Sequence, residues 1–284
     1  MCTHTLALGV LLVMLGASAC LAEPLPQPVR ETFNCSTDGS RWPYLVQTPA
    51  DGGKAVEPRA ILIYLHGHYS DEWQGMTEGA YNDAFGKLRR ECLRRQWAYV
   101  STYYGGNSWM GPLGEAGLAD LIGLLQARWP NRPVYLCGGS MGGSSTLVFA
   151  AVRPELLAGA IALCPAADIA AYYRFASEHK DGVLANIAAA IRIHYTTDGH
   201  QLEAELRRRS ALLNADRLTM RVFIGHGAKD VLIPVDASRA LAARLQQLGR
   251  PVSYVELPEG DHDAPVLQVD WNAALDFVSQ PTRP

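Results

Sequence analysis

Val134-Tyr135-Leu136-Cys137-Gly138-Gly139-Ser140-Met141-Gly142-Gly143 decides how the rest of the chain is read, because an apolar run passes through paired glycines into a helical pattern over 144–152. The order is strand, sharp turn, helix. A serine at the apex of such a turn is held in a strained backbone conformation with its Oγ exposed at the sheet edge. Glycines flank it because a Cβ would clash where strand and helix pack this closely. Ser140 is therefore the candidate nucleophile.

A serine hydroxyl needs a base to take its proton, and the base needs a carboxylate to orient it. Both lie downstream. Met220-Arg221-Val222-Phe223-Ile224-Gly225-His226-Gly227 reads as a buried strand running into a turn, and Asp230 follows it. After a helical stretch, Val252-Ser253-Tyr254-Val255-Glu256-Leu257 reads as the next strand, and its loop carries His262. Ser140, Asp230 and His262 thus each stand past the carboxyl end of a strand, where ligands bind in open α/β sheets. Asp168 competes for the acid role because it follows the strand predicted over 157–163. Asp261 and Asp263 flank His262 too closely to reach its Nδ1 and read as solvated or capping residues.

An oxyanion hole requires backbone N–H donors. Met141, next to the nucleophile, is one. The second is expected after the strand Ala60-Ile61-Leu62-Ile63-Tyr64-Leu65, where His66-Gly67-His68-Tyr69 follows; His68 is the first choice and Tyr69 the second. His66 and His226, each in a His-Gly turn, read as structural.

The segment 225–262, with His226-Gly227, Asp230, Pro234, Ser238, Leu241, Gly249 and His262 at their spacings, resembles the end of the prolyl-oligopeptidase and dienelactone-hydrolase branch of the α/β-hydrolase superfamily. Gly138 to Gly143 and Leu65-His66-Gly67 fit the same branch, and the similarity covers roughly residues 60–165 and 210–277. The resemblance implies an α/β-hydrolase fold, a Ser-Asp-His order of the triad, and hydrolysis through an acyl-enzyme. Its specificity is for fold and triad rather than for substrate.

Alternating strand and helix patterns agree with an α/β class: a mostly parallel central sheet with helices on both faces. Strands are predicted over 60–65, 98–103, 134–138, 157–163, 220–225 and 252–257, helices over 79–95, 114–128, 141–152, 235–248 and 264–278, and an antiparallel edge strand or hairpin over 41–48. Residues about 166–209 exceed what the minimal fold needs and read as a helical cap insertion; its Tyr172, Tyr173, Phe175, His194 and Tyr195 read as packing residues, with substrate contact as the alternative, since a cap over the serine would shape the acyl or alcohol pocket. The loop 104–111 opens at the same edge and offers Trp109 as a pocket wall, beside Tyr69. Arg207-Arg208-Arg209 reads as a solvated helix end.

With 284 residues, 48% hydrophobic and a formal net charge of −3, the chain suits one catalytic domain over 23–284 and gives no sign of nucleic-acid binding. The first 22 residues read as a signal peptide: a short apolar core ends in small residues that a signal peptidase accepts, which points to a secreted or periplasmic enzyme with no membrane span. Cleavage would leave Cys35, Cys92, Cys137 and Cys164; a 137–164 or a 35–92 disulfide stays open. No metal or organic cofactor is implied. The expected function is a serine esterase acting on small-molecule or polysaccharide-linked esters, acetyl or feruloyl esters of plant polysaccharide among them. A serine peptidase or aminoacyl hydrolase of prolyl-oligopeptidase type is the alternative, and a catalytically silent binding module the alternative of another class.

Overall fold

The computed structural model describes residues 25–76, 81–196 and 201–281. The signal peptide expected over 1–22 lies outside the described residues. Among these residues no helix is long and apolar enough to cross a membrane.

Eight strands form one sheet: β1 (Val29–Asn34), β2 (Arg41–Gln47), β3 (Ala60–Leu65), β4 (Trp97–Thr102), β5 (Val134–Gly139), β6 (Gly159–Leu163), β7 (Arg221–Gly227) and β8 (Val252–Leu257). Their spatial order is β1-β2-β4-β3-β5-β6-β7-β8. β1 and β2 join antiparallel, β2 meets β4 antiparallel, and every later pairing is parallel. From β3 the chain first crosses to β4 on one side and then to β5 on the other, so the carboxyl ends of β3 and β5 border the crevice where open sheets take ligands.

The uninterrupted apolar runs of β3 and β5 follow from burial on both faces. Side chains alternate across the sheet, so Ile61, Ile63 and Leu65 enter one core while Leu62 and Tyr64 enter the other. α2 (Pro112–Arg128) and α3 (Met141–Val152) pack on the first face, α1 (Asn82–Arg94) and α9 (Trp271–Ser279) on the second. Cys35 belongs to the first core and Cys92 to the second, and all four described cysteines are free and buried. Neither pair left open by the sequence is bonded.

Three elements differ from the sequence reading. The helix expected over 264–278 is two, α8 (Ala264–Gln268) and α9, because Asp270 turns extended and accepts the Ala273 N–H at 3.0 Å as an N-cap. β1 was not anticipated: its outer face carries Arg30, Thr32 and Asn34, and a polar edge strand lacks the apolar alternation that announces a strand. Arg207–Arg209 is not simply solvated. Arg209 is fully buried, pairs with Glu205 and Glu115, and donates to the Met110 carbonyl at 2.8 Å, while Arg208 also reaches Glu115.

The stretch between β6 and β7 folds as α4 (Ile169–Ser177), α5 (Gly182–Tyr195) and α6 (Leu202–Arg209). α7 (Asp236–Gln247) then connects β7 to β8.

Candidate active site

β5 ends by running its backbone against α3. A Cβ on Gly138 would stand 2.4 Å from the Gly142 carbonyl carbon, and one on Gly142 would stand 2.0 Å from the Leu65 carbonyl oxygen. Only glycine permits that approach. Between them Ser140 is forced to φ 56° and ψ −120°, a region that a side-chain-bearing residue enters only when its surroundings impose it. The Ser140 N–H is held by the Leu163 carbonyl at 2.9 Å, with Cys164 Sγ at 3.2 Å.

Ser140 Oγ lies 2.8 Å from His262 Nε2, and His262 Nδ1 lies 2.7 Å from Asp230 Oδ2. The other carboxylate oxygen of Asp230 accepts the backbone N–H groups of Leu232 and Ile233, each at 2.9 Å. Burial works against ionisation of Asp230. Hydrogen bonds from His226 and His262 overcome it and hold the carboxyl well below the usual range. The three side chains come from the ends of β5, β7 and β8.

Asp168 is placed elsewhere. It caps α4, accepting from the Ala170 and Ala171 N–H groups at 3.0 and 3.1 Å and from Ser210 Oγ at 2.9 Å. Asp261 likewise caps the turn into α8 through the Asp263 and Ala264 N–H groups, and Asp263 accepts the Tyr81 hydroxyl at 2.6 Å.

The backbone donors sort themselves by what they already bind. Tyr69 N–H, in a left-handed conformation at φ 64°, is engaged by Asn107 Oδ1 at 2.8 Å. The N–H groups of His68 and Met141 have no acceptor among the described residues. Met141 also opens α3, where the helix terminus favours negative charge.

A cavity of about 220 Å³ opens on Ser140. Tyr69 lines it, as the sequence reading expects, and so do His68, Tyr172, Val183, Ile187 and Leu232, which brings two of the helices after β6 over the serine. Trp109 does not line it. That ring is fully buried behind the wall, where its indole Nε1–H donates to His68 Nδ1 at 3.3 Å and its face lies 5.4 Å from Tyr172. The sequence placed Trp109 in the right loop but could not show that the loop turns inward. Trp109 and Met110 both take positive φ, 48° and 58°, and their carbonyls are pinned by the Tyr195 hydroxyl and by Arg209. Tyr172 was read as packing ahead of substrate contact, and it carried no motif to mark it as a cavity residue.

The prolyl oligopeptidase family model matches residues 127–280, just over half of the chain, and that span holds Ser140, Asp230 and His262. Dipeptidyl aminopeptidase BIII of Pseudoxanthomonas mexicana is 22% identical over 224 residues, which is 74% of this chain and 31% of that protein. The chain thus spans less than a third of that relative's length. Among solved structures, S-formylglutathione hydrolase (FrmB) from Staphylococcus aureus is 19% identical with a TM-score of 0.63, covering 89% of this chain and 98% of its own. Est1E from Butyrivibrio proteoclasticus gives 18% and 0.59 over 87% and 95% of the two chains. An acylaminoacyl peptidase from Pyrococcus horikoshii gives 15% and 0.63 over 89% and 40%. At these identities the likeness is one of fold.

Proposed function

The chain belongs to the prolyl oligopeptidase family and is a serine hydrolase of the α/β-hydrolase fold; on that premise we infer that it cleaves carboxylic esters through an acyl-enzyme on Ser140. Ser140 Oγ attacks the ester carbonyl while His262 Nε2 takes its proton and later returns it to the leaving alcohol. Asp230 holds His262 in the tautomer that accepts at Nε2 and supports the imidazolium that forms. The oxyanion is met by the Met141 and His68 N–H groups. Water then repeats the sequence to release the acid.

The observation that carries an ester over a peptide is the wall of the cavity at Ser140. Asp263 is the one carboxylate among the described residues lining it, and Tyr81 already engages it. An α-ammonium group, which an aminopeptidase brings to its site, would find a single carboxylate there, one already accepting from Tyr81, amid neutral side chains. The peptidase reading stands second, supported by the family and by relatives named as peptidases. We put forward acetyl and feruloyl esters of plant polysaccharide as first substrates, with export directed by the apolar run near the N-terminus.

The test is a fluorophosphonate probe with a panel of p-nitrophenyl esters, acetylated and feruloylated sugars and aminoacyl amides. The parent is expected to label and to favour esters, and Ser140→Ala to lose labelling and at least about 10³-fold in turnover. A preference for aminoacyl amides would select the peptidase, and an unlabelled parent would select a silent binding module.

A further inference from the structure

Two side chains in the wall of the Ser140 cavity carry a buried polar atom that has no hydrogen-bond partner among the described residues: the Tyr172 hydroxyl and His68 Nε2. Tyr172 is 4% exposed, and its ring lies between Trp109 and Phe175, with centroids 5.4 and 6.2 Å away. The hydroxyl is therefore held in place away from bulk water. Burial pushes the Tyr172 phenol far above its ordinary range, so it keeps its proton.

The state of His68 follows from its neighbour. An indole N–H can only donate, so the Trp109 contact requires His68 Nδ1 to accept. A neutral imidazole that accepts at Nδ1 carries its proton on Nε2, and burial, then the nearby His66, bring His68 down to about 4. At neutral pH the cavity wall thus holds two fixed, neutral donors, one on the loop after β3 and one on α4, both braced by Trp109. Buried donors are rarely left without acceptors, and those that line a binding cavity are completed by what the cavity binds.

We propose that His68 and Tyr172 determine specificity by donating their Nε2–H and O–H to an acceptor oxygen on the acyl group, so that the substrates are esters of acids with an apolar body and a neutral hydroxyl, ether or carbonyl oxygen. Ser140, Gly139 and Cys164 also line the cavity, beside the Oγ to which the acyl group stays bonded. A cationic acyl group would meet two donors. An anionic one would meet Asp263 in the wall and the ionised Asp230 behind His262. This inference rests on the ester hydrolase reading.

The experiment holds the leaving group constant and varies the acid. p-Nitrophenyl 3-phenylpropanoate is compared with its ring-hydroxylated and ring-methoxylated forms, and p-nitrophenyl hexanoate with the 5-oxohexanoate. The parent enzyme should favour at least one oxygenated ester over its plain counterpart by about tenfold or more in kcat/KM, and Tyr172→Phe should shrink that ratio to within about threefold. Fluorophosphonate labelling of Tyr172→Phe at Ser140 establishes that the variant is folded. Equal rates for plain and oxygenated esters in the parent, or an undiminished preference in labelled Tyr172→Phe, overturn the proposal. A parent that neither labels nor turns over any ester overturns the hydrolase reading itself, and this one with it.

Discussion

His226 Nε2 lies 3.3 Å from Asp230 Oδ2, the oxygen that His262 Nδ1 meets from the other side at 2.7 Å. The same Nε2 is 3.0 Å from the Ile233 carbonyl, and His226 Nδ1 is 2.8 Å from Ser238 Oγ. Both neighbours of Nε2 are acceptors, so the proton sits there and Nδ1 accepts from Ser238. His226 lies within β7, fully buried, and ties that strand's end and α7 to the acid.

Replacing this ring should therefore reach both stability and chemistry. His226→Ala leaves the Ile233 carbonyl unpaired, leaves the Ser238 hydroxyl only its 3.4 Å bond to the Pro165 carbonyl, and takes one donor from Asp230. We expect a loss of about 1–3 kcal/mol in urea unfolding, with a lower kcat as Asp230 gains freedom. An unchanged unfolding midpoint would refute the role.

The two candidate acids separate cleanly by substitution. An amide in place of the acid that faces His262 supports the wrong imidazole tautomer, which costs on the order of 10⁴-fold in kcat in the serine-protease precedent. Asp230→Asn should show a loss of that kind, whereas Asp168→Asn keeps a capping oxygen for α4 and should stay within about tenfold of the parent. Ester hydrolysis kinetics on both, checked for fold by circular dichroism, would expose the reverse ranking if it held.

Acid sensitivity follows from the same carboxylate. Its pKa is lower in the folded protein than in the unfolded chain, where about 3.9 is usual. The stabilisation is thus complete above that value and is lost as pH falls below it toward the folded pKa, because the unfolded chain takes up the proton first. Thermal melts should show the Tm gap between parent and Asp230→Asn narrowing from pH 5 to pH 3. A constant gap would detach Asp230 from acid unfolding.

Glycines at two places predict opposite outcomes for one substitution. Gly142→Ala puts a Cβ 2.0 Å from a backbone oxygen in the turn under Ser140, and we expect little soluble, fluorophosphonate-reactive protein. Gly123 stands exposed on α2 with nothing within 4 Å of its missing Cβ. Gly123→Ala should raise stability by up to about 1 kcal/mol with kinetics unaltered. Soluble, reactive Gly142→Ala would overturn the packing argument.

The legible parts of the fold were those where burial acts on both faces. β3 and β5 are apolar throughout, and the glycine turn between β5 and α3 admits few readings, so the placement of Ser140 could be anticipated from sequence. Asp230 could be anticipated because it follows such a strand, β7, and His262 because it stands in the loop after β8, whose Val252, Val255 and Leu257 mark a strand although it lies at the sheet edge. Less legible was anything decided by tertiary contact. β1 exposes one face and so lacks a strong pattern. The break at Asp270 interrupts a helical periodicity that continues on both sides. Trp109 and Tyr172 traded expected roles because nothing local shows which way a strained loop or a covering helix turns its ring.

Cys35, Cys92, Cys137 and Cys164 are free, buried and raised in pKa, so at neutral pH scarcely any thiolate is present to exchange or oxidise. The described part of the molecule reaches its native form with no covalent cross-link. Among the described residues a reducing agent such as dithiothreitol therefore finds no bond to break.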